Sequence, residues 1–166
     1  MRLIKKFFKI AKVGQKNANQ TTKSYIVRNG KSVEADKRFK AWTSGDLGRM
    51  LDQLHRKGDP IDTHFLYLSI VQQTYKQRKD AKMRELFKKI ASEHVLNFAS
   101  LVSPLLHEMN GRLPSVPTFQ YLATVYTEDG EFNKAVDVCE KAIKFGLQDG
   151  TKSGFQGRIE RIRKKM

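Results

Sequence analysis

Four histidines and one cysteine are the side chains best suited to metal binding, proton transfer or nucleophilic attack in this chain. A helix offers two histidines to one metal when they sit about a turn apart, and no two of His55, His64, His94 and His107 do. His107-Glu108 also lacks the second histidine of a zinc-protease helix. The four are therefore expected at the surface or half-buried, with no metal. Cys139 falls on the inner stripe of an amphipathic segment, which predicts a buried structural thiol and not a nucleophile. Gly146 to Gly157 encloses Asp149-Gly150-Thr151-Lys152-Ser153, a faint echo of a phosphate loop. No strand precedes it, and glycine and lysine are not adjacent as that loop requires. Gly146 reads more simply as a helix C-cap and Gly150 as a turn residue, with an anion on the amides of the last helix as the alternative. No Ser/His/Asp or paired-carboxylate arrangement stands out. The expectation is a protein that is not an enzyme, with no catalytic residue and no cofactor.

The elements that position these residues are set by charge and apolar spacing. The 166 residues suffice for one domain and can bury a core without disulfide or metal. The net charge of +15 is unevenly placed. Residues 1–43 carry 12 Lys/Arg against 2 Asp/Glu, residues 44–150 carry 14 of each, and residues 151–166 carry 6 against 1. A neutral body thus has two basic ends, and like charge gathered at termini suits nucleic acid, acidic lipid or acidic protein. Within residues 2–13, Leu3, Ile4, Phe7, Phe8, Ile10 and Ala11 share one helical face, and Arg2, Lys5, Lys6, Lys9 and Lys12 share the other. Lysines interrupt every apolar run there, so the segment is not a secretory signal; a transit peptide stays open, although such peptides favour arginine. The single cysteine suits a reducing compartment, no apolar run approaches the ~18 residues of a membrane span, and the expected location is cytoplasmic.

Three readings of the basic ends follow. The charge is simply solvated; or the helix over 2–13 lies on an anionic membrane surface through Arg2, Lys5, Lys6, Lys9 and Lys12; or the arm binds nucleic acid, with Tyr25 and Trp42 stacking on bases. Trp42 is equally the natural anchor tying the arm to the first body helix.

Residues 14–24 read as a polar linker, and Tyr25 to Val33 as a small hairpin around Asn29-Gly30. From Ser44 onward the period is helical. A first helix runs from Asp46 to Lys57. A second follows Asp59-Pro60 with Ile61, Phe65, Leu68, Val71 and Tyr75 on its apolar face. A third opens at Asp80, and a separate short helix begins at Ser103-Pro104 and closes at Asn110-Gly111. Pro114 and Pro117 precede two further helices across 117–147. A last one over about 154–165 points Phe155, Ile159 and Ile162 inward and Arg158, Arg161, Lys164 and Lys165 outward. The expected fold is all-α, a series of antiparallel helical hairpins over 44–166 with a basic arm over 1–43.

The stretch 117–147 carries the most information. Phe119, Leu122 and Tyr126 are large residues of its first helix and Ala123 the small one; Gly130 sits in the turn; Ala135 and Ala142 are the small residues of the second helix. This spacing resembles one tetratricopeptide repeat, in which small residues let two helices cross closely, and it departs mainly at Cys139, where the family favours an aromatic, and at Leu147, where it often has proline. Any well-packed helical hairpin would use small residues in the same way. A second copy is weaker: Tyr75 and Ala91 align at an offset of 51 residues, but Gln72 and Arg84 occupy two small positions. The resemblance implies an α-α superhelix that binds a protein partner of unknown identity, with Gln120, Thr124 and Thr127 on the ligand-facing side. The family's carboxylate clamp uses Lys and Asn where Gln120 and Thr124 stand, which argues against capture of a peptide C-terminus. The functional expectation is an interaction or scaffold module; the alternative is a nucleic-acid- or membrane-surface-binding accessory protein acting through the arm.

Overall fold

The computed structural model describes residues 23–28 and 30–166. The expected basic helix with Arg2, Lys5, Lys6, Lys9 and Lys12, and residues 14–22 of the expected linker, lie outside the described residues. The expected hairpin is present. Strands β1 (Tyr25–Arg28) and β2 (Lys31–Glu34) pair antiparallel, with Tyr25 opposite Glu34 and Arg28 opposite Lys31. Gly30 takes the left-handed φ of +74° that the tight turn requires.

Aspartates then punctuate the chain. Asp36 accepts the Phe39 N–H at 2.7 Å and opens α1 (Lys37–Ser44), and Asp46 accepts the Arg49 N–H at 2.9 Å and opens α2 (Leu47–Gln53). Asp59 caps α3 (Pro60–Lys76) through the Ile61 N–H at 2.8 Å, and Asp80 caps α4 (Ala81–Glu108) through the Met83 N–H at 2.9 Å. Each such cap satisfies a donor that the first turn would leave unpaired, worth about 1 kcal/mol. α5 (Pro117–Glu128), α6 (Phe132–Lys144) and α7 (Gly154–Arg163) complete the fold, and none of these three has a side-chain cap bond.

The chain is thus mostly helical, with one small antiparallel sheet among the described residues. Three sequence expectations need correction. The helix expected from Asp46 to Lys57 stops at Gln53, where the Leu54 N–H turns back to the Leu51 carbonyl and Leu54 is buried. No separate helix begins at Ser103-Pro104: Pro104 lies inside α4, which runs unbroken for 28 residues. Proline costs an interior helix one backbone hydrogen bond. Here Phe98, Leu101 and Leu105 form one continuous buried stripe across that point, and their burial holds the helix together. The 43/44 boundary between arm and body falls within α1, whose Phe39, Ala41 and Trp42 belong to the core.

α3 is the central element. It packs on α1, α2, α4 and α5, so it is buried on nearly every side, including faces that carry Asp62, His64 and Thr74. Neighbours otherwise pack in order: α1 with α2, α3 with α4, α4 with α5, α5 with α6 and α6 with α7. Ala123, Ala135 and Ala142, the small residues of the α5–α6 pair, are all fully buried, as is Cys139. The turns between these helices close through left-handed glycines. The Glu131 N–H reaches the Tyr126 carbonyl around Gly130, and the Leu147 N–H reaches the Ala142 carbonyl around Gly146.

Candidate functional site

Gln120, Thr124 and Thr127 are half-buried on α5. Two of the three spend their hydroxyl protons on their own helix: Thr124 donates to the Gln120 carbonyl at 2.8 Å and Thr127 to the Ala123 carbonyl at 2.7 Å. Thr124 also accepts from Arg158 of α7 at 3.2 Å. Arg158 was expected to point outward; instead it lies between Thr124 and Asp149, bonding the latter at 3.2 Å, because Asp149 is buried in the α6–α7 loop and needs a counter-charge. Of the three side chains expected to face a ligand, Thr124 is thus committed to α7.

The loop that echoed a phosphate site folds around a carboxylate. Asp149 accepts the Thr151 N–H at 3.0 Å and the Thr151 hydroxyl at 2.6 Å. Burial would raise its pKa, but these bonds and Arg158 outweigh it and hold it below the usual carboxylate range. A phosphate there would meet a negative charge.

Sequence spacing missed the most unusual cluster. His64 and His94 are not at the surface or half-buried: both are fully buried. His64 Nδ1 lies 3.1 Å from His94 Nε2, and His94 Nδ1 lies 2.9 Å from Thr118 Oγ1. The chain of contacts ties α3 to α4 to α5. Tyr67 stacks on the His94 ring at 5.1 Å between centroids and 5° between planes, and Phe65 and Phe98 pack against the pair. His64 Nε2 has no hydrogen-bond partner. A bare ring nitrogen is cheaper to bury than an orphaned N–H, so the arrangement favours a proton on His64 Nδ1 donated to His94, whose own Nδ1–H is donated to Thr118. Desolvation lowers His64 to about 4 and His94 well below its ordinary value, so both rings are neutral at pH 7. The two residues are 30 apart in sequence, on different helices, so no local pattern reveals the pair.

A second buried polar cluster clamps the hairpin. Arg28 of β1 donates to Asp62 Oδ1 at 2.5 Å, and the Trp42 indole N–H donates to the same oxygen at 3.0 Å. Trp42 is only 8% exposed, so it anchors α1 and does not offer its face to a base; Tyr25, at 47%, is exposed. Beside this cluster, buried Arg38 bonds Thr63 and lies across Gly58. A Cβ on Gly58 would fall 2.6 Å from Arg38 Cδ and 2.8 Å from its Nε, in a buried side chain that its bond to Thr63 keeps from swinging aside. Gly58→Ala is expected to lose about 1–3 kcal/mol, read as a lower denaturant midpoint at unchanged slope.

At the opposite side, charged pairs join successive turns. Arg84 bonds Asp129 at 2.6 Å and Glu128 at 3.1 Å, and Lys88 bonds Asp129 at 3.1 Å. Arg84 thus cross-links the start of α4 to the end of α5. Nearby, Tyr75 and Tyr121 stack at 4.0 Å with the Arg78 guanidinium 4.2 Å from the Tyr75 ring centroid. Burial pushes the Cys139 thiol up to about 12, which leaves it inert. Among the described residues no group of three or more His, Cys, Asp or Glu is placed to hold a metal ion, and no helix is long and apolar enough to cross a membrane. A shallow depression of about 380 Å³ between α6 and α7 is lined by Glu140, Ile143, Lys144, Gln156, Ile159 and Arg163. Comparison with protein-family models, curated proteins and solved structures gives no match in any of the three.

Proposed function

We propose that the chain is a non-enzymatic, tetratricopeptide-like interaction module of the cytoplasm that holds a protein segment against the face of α5 carrying Gln120 and Thr127. The observation that carries this reading is the neighbour pattern of the helices. α1 packs on α3 and α3 on α5, while α2 and α4 bridge the same steps. Units that bury a face only by stacking on like units give extended arrays, and their outward faces serve binding. The complete burial of Ala123, Ala135 and Ala142 supports the close crossing that such stacking needs.

The second reading keeps the arm as the binding element, and uneven charge favours it. Residues 1–43 hold 12 of the 32 basic residues and only 2 acidic ones. Attraction of that kind weakens steeply with salt. Two full-length variants separate the readings. One changes Gln120 and Thr127 to Lys; the other changes Arg2, Lys5, Lys6, Lys9 and Lys12 to Gln. Binding of each is measured against lysate proteins, RNA, DNA and anionic vesicles at low and high salt. The module reading expects protein partners that survive high salt and the arm changes, but are lost with Gln120→Lys/Thr127→Lys. Binding that vanishes with the arm changes or with salt supports the accessory protein instead.

A further inference from the structure

We propose that the His64–His94–Thr118 chain is a proton-sensitive clasp that holds the first turn of α5 onto α3 and α4 and releases it on acidification. Among the described residues three helices lack a side-chain cap bond, and of these α5 is the one whose first turn is bonded by this chain. Four earlier helices begin at an aspartate that caps them, whereas α5 begins at Val116 with no side-chain cap bond. Thr118, fully buried in that first turn, is held by His94 at 2.9 Å, and His94 is held in turn by His64 at 3.1 Å. The neutral pair can satisfy this chain only with one proton per ring. An added proton must either create a buried N–H on His64 Nε2, which has no acceptor, or break a link of the chain.

Among the described residues no charged group contacts the pair to offset the added proton. From α3 the pair faces Tyr67 and Phe65, from α4 Phe98, and from α5 Thr118, none of them charged at neutral pH. Among the described residues the charge that acts on His94 is that of His64 once it is protonated, and it opposes a second proton. Glu93 and Arg38 act on Tyr67, and Asp62 is engaged by Arg28 and Trp42. The sign follows from linkage. A histidine whose folded pKa lies below its unfolded value stabilises the closed state fully above about 6.5, and that contribution is lost as pH falls toward about 4. Asp62 acts oppositely: burial raises it to about 6, so its proton uptake favours the folded state as pH falls through the same range. Global stability therefore mixes two opposed effects, and a local readout is needed.

The test is amide hydrogen exchange of the full-length protein at pH 7 and pH 5, corrected for intrinsic rates, in wild type, His64→Gln and His94→Gln. The clasp predicts that the hydrogen-bonded amides of residues 121–125 lose protection by about 20-fold between the two pH values, as a single histidine titrating at about 4 closed and 6.5 open requires. Amides of α7 lose far less, and at least one of the two variants flattens the α5 response. Ring nitrogen shifts in wild type must show both histidines still neutral at pH 5, with His64 gaining its proton only toward about pH 4; titration of both rings near 6.5 overturns the clasp. An equal loss in α5 and α7 overturns the clasp, as does an α5 response unchanged in both variants.

Discussion

Asp62→Ala is expected to destabilise the fold by about 3–5 kcal/mol at pH 7.5, because it takes from a buried cation its shortest ion pair. Asp62 Oδ1 accepts both from Arg28 at 2.5 Å and from the Trp42 indole N–H at 3.0 Å, and the side chains of Arg28 and Asp62 are 8% and 3% exposed. With the carboxylate gone, the guanidinium keeps its desolvation penalty and loses its nearest counter-charge, while Trp42 loses its acceptor. Burial pushes the Asp62 carboxyl up to about 6, against the pull of the Trp42 N–H and Arg28, so at pH 7.5 it is ionised and the pair is intact. Arg28→Met in the Asp62→Leu background is expected to recover much of the loss, since an apolar replacement of both partners leaves nothing charged to bury. Urea denaturation of Asp62→Ala, and of the four members of the Asp62→Leu/Arg28→Met cycle, measures this directly. A loss below about 1 kcal/mol for Asp62→Ala, or simple additivity in the cycle, would show that the cluster does not clamp the hairpin.

The same cluster marks the limit of what spacing reveals. The charge around Asp36 assigns it to a basic arm, although it caps a helix as Asp46, Asp59 and Asp80 do. Helix starts are local chemistry: a carboxylate three residues ahead of an N–H can be read from sequence. The burial of Ala123, Ala135 and Ala142 is legible for a similar reason, because their period places them on one stripe of each helix. What could not be read is a helix buried on several sides. The apolar face of α3 was correctly placed at Ile61, Phe65, Leu68 and Val71, but α1, α2, α4 and α5 also cover Asp62, His64 and Thr74. A polar residue opposite an apolar stripe reads as solvent-facing until a second layer is known to cover it.

Pro104 and Arg158 failed in the opposite direction. Pro104 is a strong local signal for a helix start, yet the buried line through Phe98, Leu101 and Leu105 overrides it. Arg158 lies on the charged face of α7 by period, but Asp149 in the preceding loop draws it inward. In both, a long-range contact outweighs a local preference of one to a few kcal/mol. The candidate partner face shows the consequence. Gln120, Thr124 and Thr127 share a face by helical period, yet only the neighbouring α7 decides that Thr124 is already bonded.

Phe98→Ala is expected to be as damaging as the loss of Asp62, by a different route, at about 3–5 kcal/mol. The Phe98 ring is fully buried on α4 and meets aromatic rings from three other segments. It lies edge-on to Phe119 of α5 at 5.3 Å and to Phe145, which ends α6, at 5.1 Å, and 6.0 Å from His64 of α3. Edge-to-face pairs add about 0.5–1.5 kcal/mol each beyond the area they bury, and truncation removes both pairs and opens a cavity where helices from two pairs meet. Phe98→Leu keeps most of the volume and is expected to fall between alanine and wild type. Leu96, two residues earlier on the same helix and 72% exposed, supplies the control: Leu96→Ala should change stability by no more than about 0.5 kcal/mol. Urea denaturation midpoints with unchanged slopes test the order Phe98→Ala, Phe98→Leu, Leu96→Ala. If Phe98→Ala costs no more than Leu96→Ala, the α4–α5–α6 junction is not the packed centre that these distances describe, and the stacking of helix pairs on which the proposed module depends loses its physical basis.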